Sequence, residues 1–294
     1  MVDLHTTRRR PILTGRDANR AIGRIFLAAV LTWCAGAMAA TGADLYRTKV
    51  TVTGQGEANR IIGFAACLED VLIKASGAQK LSGDRRLAAY KSKAKDLVTA
   101  FSYRDQFEGK PIRDEQGTRD RPYDLTVDFQ ESKINDILKA LGLKPWLSYR
   151  PVLAVFVAME QGPRNYVVTL DGAQSDLQRD ALLAAADKRG MLIVLPGAEA
   201  LAKSNITGET LGTTPLSALA PIAAEQDAEA VLTGRLVWDD RQLGWATQWQ
   251  IDWAGQTHRW QLRGVTFDEA FRRGIGGAAQ ILSGNGDQGD GQRR

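Results

Sequence analysis

The sequence predicts an α/β (α+β) protein of two small mixed-sheet domains, the second ending in an antiparallel three-strand meander and a closing helix. Three observations predict it. Residues 245–253 read WATQWQIDW, so Trp245, Thr247, Trp249, Ile251 and Trp253 share one face; that period of two marks a strand with one buried side. Residues 152–158 (VLAVFVA) are a continuous apolar run, as expected of a strand covered on both faces. From there to residue 238 helical and strand patterns alternate, which implies helices layered on a sheet.

In chain order, residues 45–53 (LYRTKVTVT) alternate and are rich in β-branched side chains, hence a strand. Gly54-Gln55-Gly56 turns the chain. Residues 57–75 place Ile61, Ala65, Leu68, Val71 and Leu72 at helical spacing, and Gly77 closes that helix. Residues 84–99 read as a second helix with Asp84 as N-cap. Residues 101–107 and 123–129 are strands around a polar hairpin loop at 108–121. Residues 132–141 carry Ile134, Ile137, Leu138 and Leu141 on one helical stripe. The first domain, 44–142, is thus β-α-α-β-β-α. Residues 143–150 are read as a linker, with Trp146 and Tyr149 packing at the junction.

The second domain spans 151–282. After the strand at 152–158 come a short strand at 166–170, a helix at 175–189 and a buried strand at 192–195. A short helix at 199–203 and a polar loop at 204–214 lead to a helix at 215–228, which Pro221 breaks or kinks. Strands at 231–238, 243–253 and 257–265, joined by short turns, form the meander. The helix at 267–282 turns Phe271, Ile275, Ala278 and Leu282 inward. Residues 283–294 (SGNGDQGDGQRR) are expected to be a disordered tail.

Residues 1–39 read as a secretory signal peptide: arginines up to Arg24, an uncharged run over 25–40, and an Ala37-Met38-Ala39 exit with cleavage after Ala39. The apolar run is shorter than the ~20 residues of a spanning helix; an uncleaved inner-membrane anchor is the alternative. The whole chain has 38 basic and 34 acidic residues, the leader six and two, so the remainder holds 32 of each and is neutral. Its basic isoelectric point belongs to the leader. Nucleic-acid binding, which calls for a basic stripe, is therefore not expected.

Cleavage leaves one cysteine, Cys67, and one histidine, His258. That excludes an intramolecular disulfide and any zinc site needing two Cys or His ligands; a carboxylate-rich site stays open. Cys67 lies within a helix and reads as packing. The GQGEAN run at 54–59 lacks the third glycine of a dinucleotide fingerprint and reads as a turn. Asp239 and Asp240 are neighbours in a turn, whereas glycoside hydrolysis needs two carboxylates on opposite sides of a sugar. Spacing alone matches no Ser, Cys or acid with His258 for base catalysis. No catalytic residue, cofactor-binding residue or metal ligand is assigned. The stripe of Trp245, Trp249 and Trp253 has two readings: a sheet face packed under the last helix, with Gln and Thr neighbours satisfying the indoles, or an exposed ligand platform.

Residues 45–77 (LYRTKVTVTGQGEANRIIGFAACLEDVLIKASG), with WLSYRPVLAVFVA and AVLTGRLVWDDRQLGWATQW further on, resemble an uncharacterised proteobacterial periplasmic family (domain of unknown function 2066). The resemblance covers most of 44–282, and its motifs are strands, turns and packed helices. It implies an export signal and a role at the bacterial envelope, and it assigns no catalytic residue. The layout of the second domain, through the passage at 227–236, is also similar to α/β domains of outer-membrane assembly and peptidoglycan-synthesis accessory proteins.

The sequence therefore leads to an exported, non-enzymatic, periplasmic envelope protein acting as a binding or assembly accessory factor. Envelope proteins or peptidoglycan are the expected partners, with no cofactor and no transmembrane helix after cleavage. A glycan-binding module using the tryptophan face is the first alternative, and a periplasmic hydrolase with scattered carboxylates the second. Oligomeric state is left open.

Overall fold

The structure, a computed structural model, describes residues 45–109 and 121–286. The leader with its cleavage site, most of the 108–121 loop and the tail beyond 286 lie outside the described residues. The described residues belong to one compact unit. They form an α/β fold of eight helices and two sheets.

The first sheet is antiparallel, in the order β1 (Arg47–Thr53), β3 (Pro122–Phe129), β2 (Val98–Asp105). Helices α1 (Glu57–Ser76) and α3 (Glu131–Ala140) supply the core with the strands' inward residues, including Leu68, Leu72, Leu125, Val127 and Leu138. Gly63 brings α1 close: a Cβ there would lie 2.5 Å from Leu125. Gly77 ends α1 in the left-handed region at φ 73°, where a Cβ is disfavoured.

Residues 84–99 are not one helix. Asp84 caps as expected, its carboxylate accepting the Arg86 N–H. The chain then runs through a 3-10 turn at Arg85–Leu87, a single helical turn α2 (Ala88–Lys91) and another 3-10 turn at Ala94–Leu97. Leu87 and Ala94 are its buried anchors, too few to hold a continuous helix against the core. Val98 is already paired with Phe129, so ladder pairing overrides helix propensity at that end.

The second sheet runs β5 (Arg164–Val167), β4 (Leu153–Gln161), β7 (Ala230–Asp239), β8 (Gly244–Trp253), β9 (Gln256–Val265), with the two-residue β6 (Ile193–Val194) also beside β4. β4 is parallel to β6 and β7; the other pairs are antiparallel, and β7–β8–β9 is a meander. β4 is buried on both faces. Leu153, Val155 and Val157 meet α4 (Asp176–Arg189) and α8 (Phe267–Leu282). Ala154, Phe156 and Ala158 meet α5 (Ala198–Lys203), α6 (Gly208–Leu211) and α7 (Leu216–Ala224).

Several local expectations are corrected. The polar stretch 204–214 contains α6, because Thr207 and Thr210 form a reciprocal capping box. Pro221 sits inside α7 without ending it. The strand expected at 166–170 is earlier, at β5, where Gln161↔Arg164 closes a short hairpin on β4. β6 is shorter than expected and half-buried. The tail does not begin free: the Asn285 amide donates to the Ser76 carbonyl at 2.6 Å, and its oxygen accepts the Lys144 N–H at 3.2 Å.

A polar joint holds the two layers. Residues 143–150 form no helix or strand, yet Trp146 and Arg150 are buried and the Trp146 N–H donates to the Ala75 carbonyl. Tyr149, expected to pack there, is exposed and bonds Glu229. The Arg150 guanidinium lies 4.3 Å over the Trp146 ring and donates to the carbonyls of Lys74, Trp146, Arg189 and Gly190. Those carbonyls include the C-terminal ends of α1 and α4, where a cation answers both helix dipoles. Burial nevertheless pulls the Arg150 pKa down to about 10. Beside it, buried Arg189 donates to Gln79 at 2.9 Å and pairs with Asp70 at 3.4 Å.

Candidate functional site

The tryptophan stripe is interior. Trp245 and Trp249 are buried, Trp249 at 1% exposure, and Trp253 is half-buried against the same core. Two glycines make the space. A Cβ on Gly234, its register partner on β7, would stand 2.5 Å from the Trp249 ring, and one on Gly274 of α8 would also clash with it. Gly277, one turn along α8, lets the helix down onto Trp260, where a Cβ would meet the ring at 2.6 Å. No saccharide can stack on a ring enclosed as Trp249 is, so Trp245, Trp249 and Trp253 do not form one continuous platform. The expectation that Gln and Thr neighbours satisfy the indoles also fails: Trp249 Nε1, Trp260 Nε1 and Thr247 Oγ1 have no hydrogen-bond partner. Each such group costs about 1–3 kcal/mol, against the large apolar area that an indole buries. The signal for this cage was a strand-interior glycine and a G-x-x-G spacing in a helix, both marks of close backbone approach.

The other residues singled out have structural places. Asp239 accepts the N–H groups of Arg241 and Gln242 at 2.9 and 3.3 Å, and Asp240 accepts the Trp238 indole N–H at 2.8 Å. Both carboxylates are turn formers. The Asn59 amide bonds the Thr53 carbonyl, closing the 54–59 turn. Cys67 is fully buried; burial, with the Asp70 charge, pushes its thiol up to about 12, so it is not a nucleophile near neutrality. His258 is half-buried opposite Ile251 in the β8–β9 register. Among the described residues no three His, Cys, Asp or Glu side chains are grouped to hold a metal ion.

The candidate site is a cleft of about 690 Å³ between the β4–β5 hairpin and the first turn of α4, within the size range of small-ligand sites. Four amides, Gln161, Asn165, Gln174 and Gln178, face two rings, Tyr166 and Trp245. The sheet positions these rings: Met159 pairs with Tyr166 across the hairpin and with Leu236 on β7, and β7 places Trp238 opposite Trp245. Trp245 is thereby the stripe tryptophan that reaches a cleft, its ring edge-on to Trp238 at 5.5 Å. Burial raises the Tyr166 pKa, keeping its hydroxyl a neutral donor. Leu177 is 72% exposed on the rim. The carboxylate lining the cleft, Asp176, is tied to Arg179 at 2.6 Å. Sequence reading missed this cleft, because its residues come from a hairpin and a helix start that only the parallel crossover brings together.

Fold and cleft together describe an α/β protein with an amide-lined cleft, to which Arg164 adds a cation and Asp176 a carboxylate. The profile of a domain of unknown function (DUF8605) matches residues 39–147, from just before β1 to the joint. This corrects the resemblance to domain of unknown function 2066: the family model that matches is that of a different domain of unknown function. No curated protein matches the chain. Among the described residues no helix is long and apolar enough to cross a membrane.

Proposed function

We propose that the protein is an exported, non-enzymatic accessory factor that binds a component of the bacterial envelope through the cleft beside β5. The cleft's chemistry carries this reading. Amides beside two rings supply donors, acceptors and apolar surface, and Arg164 adds one cation, a lining that suits a polar segment. A hydrolase would need a second carboxylate converging with Asp176, and Asp176 is already committed to Arg179. Export rests on the leader's charge and hydropathy pattern; retention of that leader as an inner-membrane anchor is the alternative.

A photo-cross-linker at position 177, used in intact cells, tests the reading. Adducts with an envelope protein or with peptidoglycan are expected, and Gln174→Ala with Gln178→Ala should reduce them. Fractionation that places the protein in the cytoplasm, or adducts unaffected by the amide substitutions, would overturn it. The glycan alternative keeps one support, the Trp245 ring in an amide-lined cleft. On that reading purified peptidoglycan sacculi retain the protein and Tyr166→Ala releases it.

A further inference from the structure

A second groove, of about 580 Å³, separates the outer edge of β1 from the C-terminal end of α4. Its lining holds four cations, Arg47, Lys49, Lys74 and Lys188, against one acid, Asp187. The chain beyond the leader is neutral, so this concentration of charge is local and not a reflection of overall composition. Lys74 and Lys188 stand in the last turns of α1 and α4, where helix dipoles favour cations for structural reasons alone. Arg47 and Lys49 have no such reason: they project from a strand whose face away from α1 is open. Asp128 engages Arg47 at 2.6 Å and Asp70 engages Lys188 at 2.8 Å, but neither acid lines the groove. Lys49 makes no side-chain hydrogen bond or close ion pair among the described residues; Asp124, outside the groove, attracts it electrostatically.

Neutral donors converge on the same space. Thr48 and Thr126 line it. The Arg47 carbonyl points out of the sheet, since it accepts from Lys74 Nζ at 3.3 Å. Antiparallel alternation then puts the Lys49 N–H on that same free edge. Ammonium groups, hydroxyls and a strand N–H are the donor set that surrounds a multiply charged oxyanion.

We infer that this groove is a binding site for a phosphate-bearing ligand, with Lys49 as the cation that no hydrogen bond or close ion pair holds. Neither the cleft beside β5 nor export enters the argument, so the two readings fail separately. The ligand's phosphate has two sources, a free phosphorylated small molecule or a phospholipid headgroup.

The test titrates the full chain with inorganic pyrophosphate at fixed physiological salt, by calorimetry. In parallel it is co-sedimented with phosphatidylglycerol vesicles and with phosphatidylcholine vesicles. Lys49→Glu alters an exposed side chain and should leave the circular dichroism spectrum unchanged, with the melting temperature lowered only slightly by the added charge near Asp124. Its affinity should fall roughly tenfold or more, as expected for one charge-assisted contact. Binding of pyrophosphate without sedimentation assigns a free phosphorylated ligand. Sedimentation with phosphatidylglycerol alone, competed by pyrophosphate, assigns a headgroup. Absence of binding in both arms, or equal binding by Lys49→Glu, overturns the inference.

Discussion

The cage around Trp249 and the joint around Arg150 are both buried, and they are built on opposite principles. The cage is apolar and depends on shape: two glycines, from a strand and a helix, clear room for one ring whose N–H has no protein partner. The joint is polar and depends on satisfaction: one guanidinium answers four carbonyls, and its neighbour Arg189 bonds Gln79 and Asp70. Within one layer, close packing gives the tightest fit, so an unmet indole is tolerated in exchange for area. Between layers, chain ends and helix termini bring orphan carbonyls together, and these need donors. Gly276 belongs to both designs, since it lies on α8 beside the cage glycines yet clears space for Gln79 of the joint.

The largest effect should come from emptying the cage. Trp249→Ala is expected to cost about 3–5 kcal/mol in denaturant unfolding. Trp249→Phe should cost distinctly less, because no indole hydrogen bond is lost; an equal cost would show that the N–H matters after all. In the joint, Arg150→Met keeps the stacking volume but strands carbonyls, at about 1–3 kcal/mol. Thiol labelling of Cys67, which sits near the joint in α1, should then speed up more than global stability predicts. Unchanged labelling would mean that the joint does not open separately. Gly274→Ala brings a methyl into the Trp249 ring and should cost about 1–3 kcal/mol by overpacking, partly offset by the ~1 kcal/mol gain in helix propensity. A stabilised variant would contradict the cage.

The smallest expected effect depends on pH and lies at Asp124, a buried carboxylate whose partner Arg104 is exposed. The Arg104 hydrogen bond, aided by one from Gln106, holds the Asp124 carboxyl below the usual carboxylate range. Its folded pKa is depressed, so its contribution is complete above the ordinary value of roughly 4. It is lost as pH falls through the folded value. Asp124→Asn should therefore lower the melting temperature slightly at neutral pH and flatten its fall in acid. A wild-type slope retained by the variant would place the acid sensitivity elsewhere.

Much of this architecture is legible residue by residue. The alternation at 245–253 marks the meander strand, and the odd-numbered positions are the buried ones. The run at 152–158 marks a strand covered on both faces, as β4 is. Where reading by pattern failed, long-range partners decided. Val98 joins a strand because Phe129 lies opposite. Thr207 starts a helix because Thr210 closes a capping box within a stretch that composition reads as loop. Asn285 is ordered because two carbonyls from distant segments converge on its amide. Of the candidate cleft only Trp245 was legible, for its amides are ordinary surface residues until the crossover juxtaposes them.

The sequence by itself determined the α/β class, the order of most elements and the face on which the tryptophans lie, because these follow from periods of 2 and 3.6 along the chain. The tertiary structure alone decided that this face is closed by glycines, that Arg150 at the end of the 143–150 stretch is a clamp, and where clefts remain. Each of those depends on distances between residues far apart in sequence, which no local period encodes.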